Sequence, residues 1–89
     1  ETFPAINLAR FAVGASATHP AVLNAANEVM VEAFIDGVVP WMAIVDTVSA
    51  VVHEHEGVAD PTLEDILAAQ SWAVQRAREY IGAGQWKDQ

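Results

Sequence analysis

The sequence predicts an all-α protein, a compact four-helix bundle-like domain over residues 1–89, and three observations lead there. Proline and glycine punctuate the chain regularly, at Pro4, Gly14, Pro20, Gly37, Pro40, Gly57, Pro61 and the Gly82-Ala83-Gly84 end. Proline just inside a start and glycine just past an end mark successive helices. Between these marks apolar residues recur with a helical period, and no segment alternates with period two over a strand's length.

The first predicted helix, about residues 4–13, keeps Asn7 and Arg10 on one side and Ile6, Leu8, Ala9 and Val13 on the rest. The second, about 20–36, places Asn24, Glu28, Glu32 and Asp36 on one stripe, with Asn27 at its margin. Val22, Leu23, Ala26, Val29, Met30, Ala33 and Phe34 fill its other sides, so this helix is expected to be central and to touch several neighbours.

The third, about 41–55, has an expected stripe of Trp41, Ile44, Val45, Val48, Val51 and Val52, with Asp46, Ser49, His53 and Glu54 off it. Its β-branched residues lower helix propensity, so packing is expected to hold it. The fourth, about 63–81, opens with Thr62 and Asp65, a T-x-x-D variant of the capping box. Its expected stripe is Leu63, Ile66, Leu67, Val74, Ala77 and Ile81, with a kink at 69–71 where Ser71 starts a fresh segment.

Composition narrows the function classes. Twelve acidic against four basic side chains give a net charge of −8, so the chain offers no basic patch for nucleic acid or an anionic membrane. No apolar run reaches the roughly 20 residues that a bilayer requires. Cysteine is absent, which removes disulfide and thiolate chemistry. The apolar share of 53% exceeds what one small core uses, which points to an apolar surface that meets a partner or a second copy. The chain begins at Glu1 without methionine and reads as an excised piece.

Four groups of residues are candidate sites. Asn24, Asn27 and Glu28 bring two amides and a carboxylate within one turn, yet no catalytic base is paired with them, and a structural role is the expectation. His53 and His55, in the stretch His-Glu-His-Glu, stand about 200° apart on a helix and do not share one ion there. The H-E-x-x-H pattern is missing. A weak site with Glu56 requires 55–57 to leave the helix; otherwise the histidines favour a negative helix end, and His19 reads as a helix-start residue.

Ser16, Ser49 and Ser71 stand in no G-x-S-x-G context, and no G-x-G-x-x-G loop exists. The Asp-Ser-Leu that carries an acyl carrier's prosthetic arm is absent as well. Trp72 projects about 180° from the expected Val74, Ala77 and Ile81 stripe, which makes it the candidate contact with another domain or subunit; the alternative is that the kink turns it inward.

The blocks Phe3-Pro4-Ala5-Ile6-Asn7-Leu8-Ala9, then PAVLNAANEVMVEAFIDG at 20–37, LEDIL at 63–67 and RAREYI at 76–81 resemble one family. Their order and spacing are similar to those of the C-terminal helical domain of 1-deoxy-D-xylulose 5-phosphate reductoisomerase. The resemblance implies a longer parent of bacterial cytoplasm, a homodimer that converts 1-deoxy-D-xylulose 5-phosphate to 2-C-methyl-D-erythritol 4-phosphate. That reaction uses NADPH and Mg²⁺, Mn²⁺ or Co²⁺, in the non-mevalonate isoprenoid route.

It also implies that the nucleotide, metal and substrate residues lie in other domains. No catalytic, cofactor or metal residue is therefore expected among positions 1–89, and Asn24, Asn27 and Glu28 read as a family mark that holds shape. Three departures from the family pattern stand out: Met30 where alanine is usual, Val39-Pro40-Trp41 in place of Ile-x-Phe, and Gln70 where aspartate is common. The expected function is a non-catalytic domain that braces the parent's remaining domains and self-associates when alone. The alternative is a stand-alone helical protein-interaction module.

Overall fold

A computed structural model describes residues 16–83. The described residues form three α-helices and no strand: α1 (His19–Ile35), α2 (Met42–Glu54) and α3 (Leu63–Gly82). The expected helix over 4–13, and with it the fourth member of the expected bundle, lies outside the described residues. The other three expected helices appear within a residue of their predicted ends.

Each helix boundary has a local cause. Pro20 sits in the first turn of α1, where its missing N–H is harmless. Two residues before the N-cap Thr18, Ser16 Oγ accepts the N–H groups of Thr18 at 3.2 Å and His19 at 3.3 Å. At the other end Gly37 takes φ +78°. The Val38 N–H reaches the Ala33 carbonyl at 2.9 Å and the Gly37 N–H that of Phe34 at 3.0 Å, a Schellman motif that needs glycine's left-handed freedom. The Thr62–Asp65 capping box opens α3 as predicted: Asp65 N–H donates to Thr62 Oγ1 at 3.1 Å, and Thr62 N–H donates to Asp65 Oδ2 at 3.0 Å.

The core lies around α1, which packs extensively on both α2 and α3, while those two touch each other less. Val22, Ala26, Met30 and Ala33 of α1 meet Ala43, Val48, Val51 and Val52 of α2 and Ala69, Ala73 and Ala77 of α3, with Val39 tucked under from the connection. Met30 is the largest fully buried side chain among the described residues.

The buried faces of α2 and α3 match the expected stripes at Val48, Val51, Val52 and Ala77 and differ from them elsewhere. On α2 the inner line runs through Ala43, Thr47, Val48, Val51 and Val52, and Trp41 is 67% exposed. Trp41 precedes the helix and lies two positions, about 200°, from the inward Ala43. On α3 the inner line is Ala69, Ala73 and Ala77, while Leu63 is 71% and Leu67 51% exposed. Small side chains let α1 and α3 approach closely, so the alanine line wins over the leucine line. The expected kink at 69–71 is not there: α3 is one uninterrupted helix, because no proline or glycine interrupts 63–81 and the alanine line runs straight through the region.

Candidate functional site

Asn24, Asn27 and Glu28 all point to solvent from α1. None of the three makes a side-chain hydrogen bond to another described residue. Asn24 and Glu28 form one wall of an open groove of about 550 Å³, whose other wall on α3 carries Gln70, Ser71, Gln75 and Arg78. The groove is open and of mixed lining, with Ala25, Leu67 and Val74 among the polar groups, and no general base is held against a nucleophile in it.

The most highly connected polar cluster lies elsewhere, where the start of α1 meets the end of α2. Thr18 and His19 are buried there. Thr18 Oγ1 lies 2.8 Å from His55 Nε2 and accepts the Val58 N–H at 3.3 Å. His19 Nε2 donates to the His55 carbonyl at 3.1 Å, and its Nδ1 is 2.6 Å from Ser16 Oγ. With the proton on Nε2, Nδ1 of the neutral ring accepts from the serine hydroxyl. The two imidazoles meet edge to face at 4.7 Å, and the Trp72 ring lies 5.5 Å beyond His55. Burial, then the neighbouring His19, pushes the His55 pKa below the ordinary histidine range, with Glu56 opposing both.

Chemically this cluster is a clasp. The close Ser16–His19 pair is not an activated nucleophile, because Ser16 Oγ already accepts two backbone N–H groups. His55 has left the helix for extended backbone (ψ 132°) and turns inward to Thr18. His53 stays on α2 and bonds back to the Ser49 carbonyl at 2.7 Å. The two histidines of the His-Glu-His-Glu stretch thus serve different partners.

Trp72 is half-buried and packs on the core beside His55. On α3 it stands about 60° from Ala69 and about 100° from Ala73, at the flank of the buried line, so it is neither fully outward nor part of that line. Sequence reasoning took His19 as a helix-start residue, which it is, yet missed its bond to the residue-55 carbonyl. The contact spans 36 positions and leaves no local pattern.

A second unforeseen cluster ties α2 to α3. Glu54 receives Arg76 through both carboxylate oxygens, at 2.7 and 3.2 Å, and also accepts the Tyr80 hydroxyl. Arg76 further bonds Glu79 at 3.0 Å and lies 4.6 Å over the Tyr80 ring. The Arg76 hydrogen bond, with help from Tyr80, holds the Glu54 carboxyl below its usual range. The Glu54 hydrogen bond raises the Tyr80 phenol.

Among the described residues no three His, Asp or Glu side chains converge to hold a metal ion. The chain has no glycine-rich phosphate loop for a dinucleotide. No helix of the described residues is long and apolar enough to cross a membrane.

Comparison with known proteins gives this architecture its context. The family model described as the DXP reductoisomerase C-terminal domain matches residues 1–76. The 1-deoxy-D-xylulose 5-phosphate reductoisomerase of Kitasatospora griseola is 51% identical over 94% of this chain and 22% of its own length. That of Chlorobium limicola is 48% identical over 92% of this chain and 22% of its own. That of Citrifermentans bemidjiense is 42% identical over 94% and 22%. The chain therefore spans about a fifth of the length of these curated relatives. No solved structure matches it significantly. On the match over residues 1–76, this chain belongs to the DXP reductoisomerase C-terminal domain family.

Proposed function

We propose that this chain is the non-catalytic C-terminal domain of a 1-deoxy-D-xylulose 5-phosphate reductoisomerase and braces the enzyme's remaining domains. The parent would convert 1-deoxy-D-xylulose 5-phosphate to 2-C-methyl-D-erythritol 4-phosphate with NADPH and a divalent cation in the bacterial cytoplasm. The observation that carries this reading is the family match over 1–76, joined to the relatives' greater length, of which the match covers 22%. The chain's polar clusters support it: the Ser16–Thr18–His19–His55 clasp and the Glu54–Arg76–Tyr80 cluster join helices to one another.

The test is direct. The purified 89-residue chain, mixed with NADPH, Mg²⁺ and 1-deoxy-D-xylulose 5-phosphate, leaves the NADPH absorbance unchanged, and measurable turnover overturns the reading. A second reading, a stand-alone interaction module that pairs with other proteins or itself, is favoured by the exposure of Ile35 and Trp41. The reading frame upstream of Glu1 separates the two, since nucleotide-binding and acidic metal motifs there belong to the enzyme alone.

A further inference from the structure

The longest run of exposed large apolar side chains crosses the α1–α2 connection. Ile35 is 74%, Val38 53%, Trp41 67% and Met42 51% exposed, with Phe34 at the edge. This end of the bundle is not loose. The Schellman motif at Gly37 sets the turn, and Val39, at 6% exposure, is anchored in the core. Four greasy side chains are thus held outward by a fixed backbone, where an exposed tryptophan is the residue type most often found at the centre of an interface.

The charge around the patch says what covers it. Ile35 shares one surface hollow with Glu28, Glu32 and Asp36, and Asp46 follows Met42 by one turn of α2. No lysine or arginine occurs between residues 11 and 75. Two copies meeting through this face would bring Glu32, Asp36 and Asp46 of one copy toward the same carboxylates of the other. A partner surface with an apolar centre and a lysine or arginine rim meets both requirements. About four-fifths of the relatives' polypeptide lies outside the matched segment, so such a surface is available in the same chain.

We propose that Ile35, Val38, Trp41 and Met42 form the docking face by which this domain seats on the rest of the reductoisomerase polypeptide, with Glu32, Asp36 and Asp46 meeting basic residues at its rim. This rests on the proposed function and adds the surface and the chemistry of its partner.

The test replaces the last fifth of the Kitasatospora griseola enzyme with this chain and follows NADPH oxidation and thermal unfolding. The expected result has three parts. The unsubstituted chimera turns over. Trp41→Asp combined with Ile35→Asp lowers its melting point by several degrees and its activity several-fold, and Asp36→Lys has a smaller effect that fades in high salt. The same substitutions leave the melting of the isolated 89-residue chain unchanged, and Leu63→Gln, exposed but away from the patch, changes neither protein.

A chimera indifferent to the Trp41 and Ile35 substitutions overturns the docking face while leaving the proposed function standing. So does equal destabilisation of the isolated chain, which makes these residues part of its own fold. Dimerisation of the isolated chain that Trp41→Asp dissolves, with the chimera unaffected, assigns the face to a second copy and overturns the proposal. An unsubstituted chimera without turnover removes the proposed function and this inference with it.

Discussion

A β-carbon on Gly57 would stand 2.3 Å from the β-carbon of Ser16, closer than two such atoms approach. The segment after α2 therefore lies directly on the turn that precedes α1, and only glycine leaves room for it. Gly57→Ala must displace Ser16, which holds the N–H groups of Thr18 and His19 and the His19 ring. The expected loss is about 1–3 kcal/mol, read from the urea midpoint. Gly82→Ala is the control: its added methyl meets open space at the last position of α3, and it is expected to be neutral or to stabilise by up to about 1 kcal/mol.

The clasp makes stability depend on mild acid. His55 titrates below its ordinary range in the folded chain, so the unfolded chain takes up the proton first. The groups facing it are His19 from α1, uncharged Trp72 from α3, the adjacent Glu56, and Glu54 and Asp65 around the same hollow. Its contribution is whole above about pH 6.5 and shrinks as the pH falls through the folded value. Urea unfolding at about pH 7.5 and about pH 5 should show this loss, and His55→Gln should flatten the difference. An unchanged slope in the variant would rule His55 out as the source.

Tyr80 is the chain's single tyrosine, so tyrosinate absorbance reads this one group. Its bond to Glu54 raises the phenol pKa, so the associated stability is present below about pH 10 and is lost as the pH rises through the folded value. The titration midpoint should lie above the ordinary tyrosine value, and Glu54→Gln should bring it down. A midpoint indifferent to that substitution would refute the carboxylate as the cause.

Thr47 is 1% exposed in α2, and its hydroxyl makes no hydrogen bond with any described residue. A buried hydroxyl without a partner carries a desolvation penalty that a methyl group of the same shape does not. Thr47→Val should therefore raise stability by about 1 kcal/mol, visible as a higher thermal midpoint. A loss of stability would show that the hydroxyl is satisfied.

Much of the local architecture was legible. The T-x-x-D string announced the Thr62–Asp65 box, Gly37 announced the end of α1, and the all-round apolarity of α1 announced its central place. The polar clusters were not legible. Thr18 and His55, or Glu54 and Arg76, are far apart in the chain, and each residue alone looks like an ordinary cap or surface charge. Asn24, Asn27 and Glu28, expected to hold shape, face solvent and make no side-chain hydrogen bond to another described residue.

By itself the sequence determined the helical class, where three helices start and stop, and the family, because caps, turns and periodicity act over a few residues. The tertiary structure alone decided which apolar line of α3 turns inward. On α3 both the leucine and the alanine lines are apolar, and local rules rank neither above the other. Only the presence of α1 alongside selects the alanines, since small side chains let two helix axes come close and leave Leu63 and Leu67 outside. The same placement of one helix against another left Trp41 in solvent and folded His55 in against Thr18.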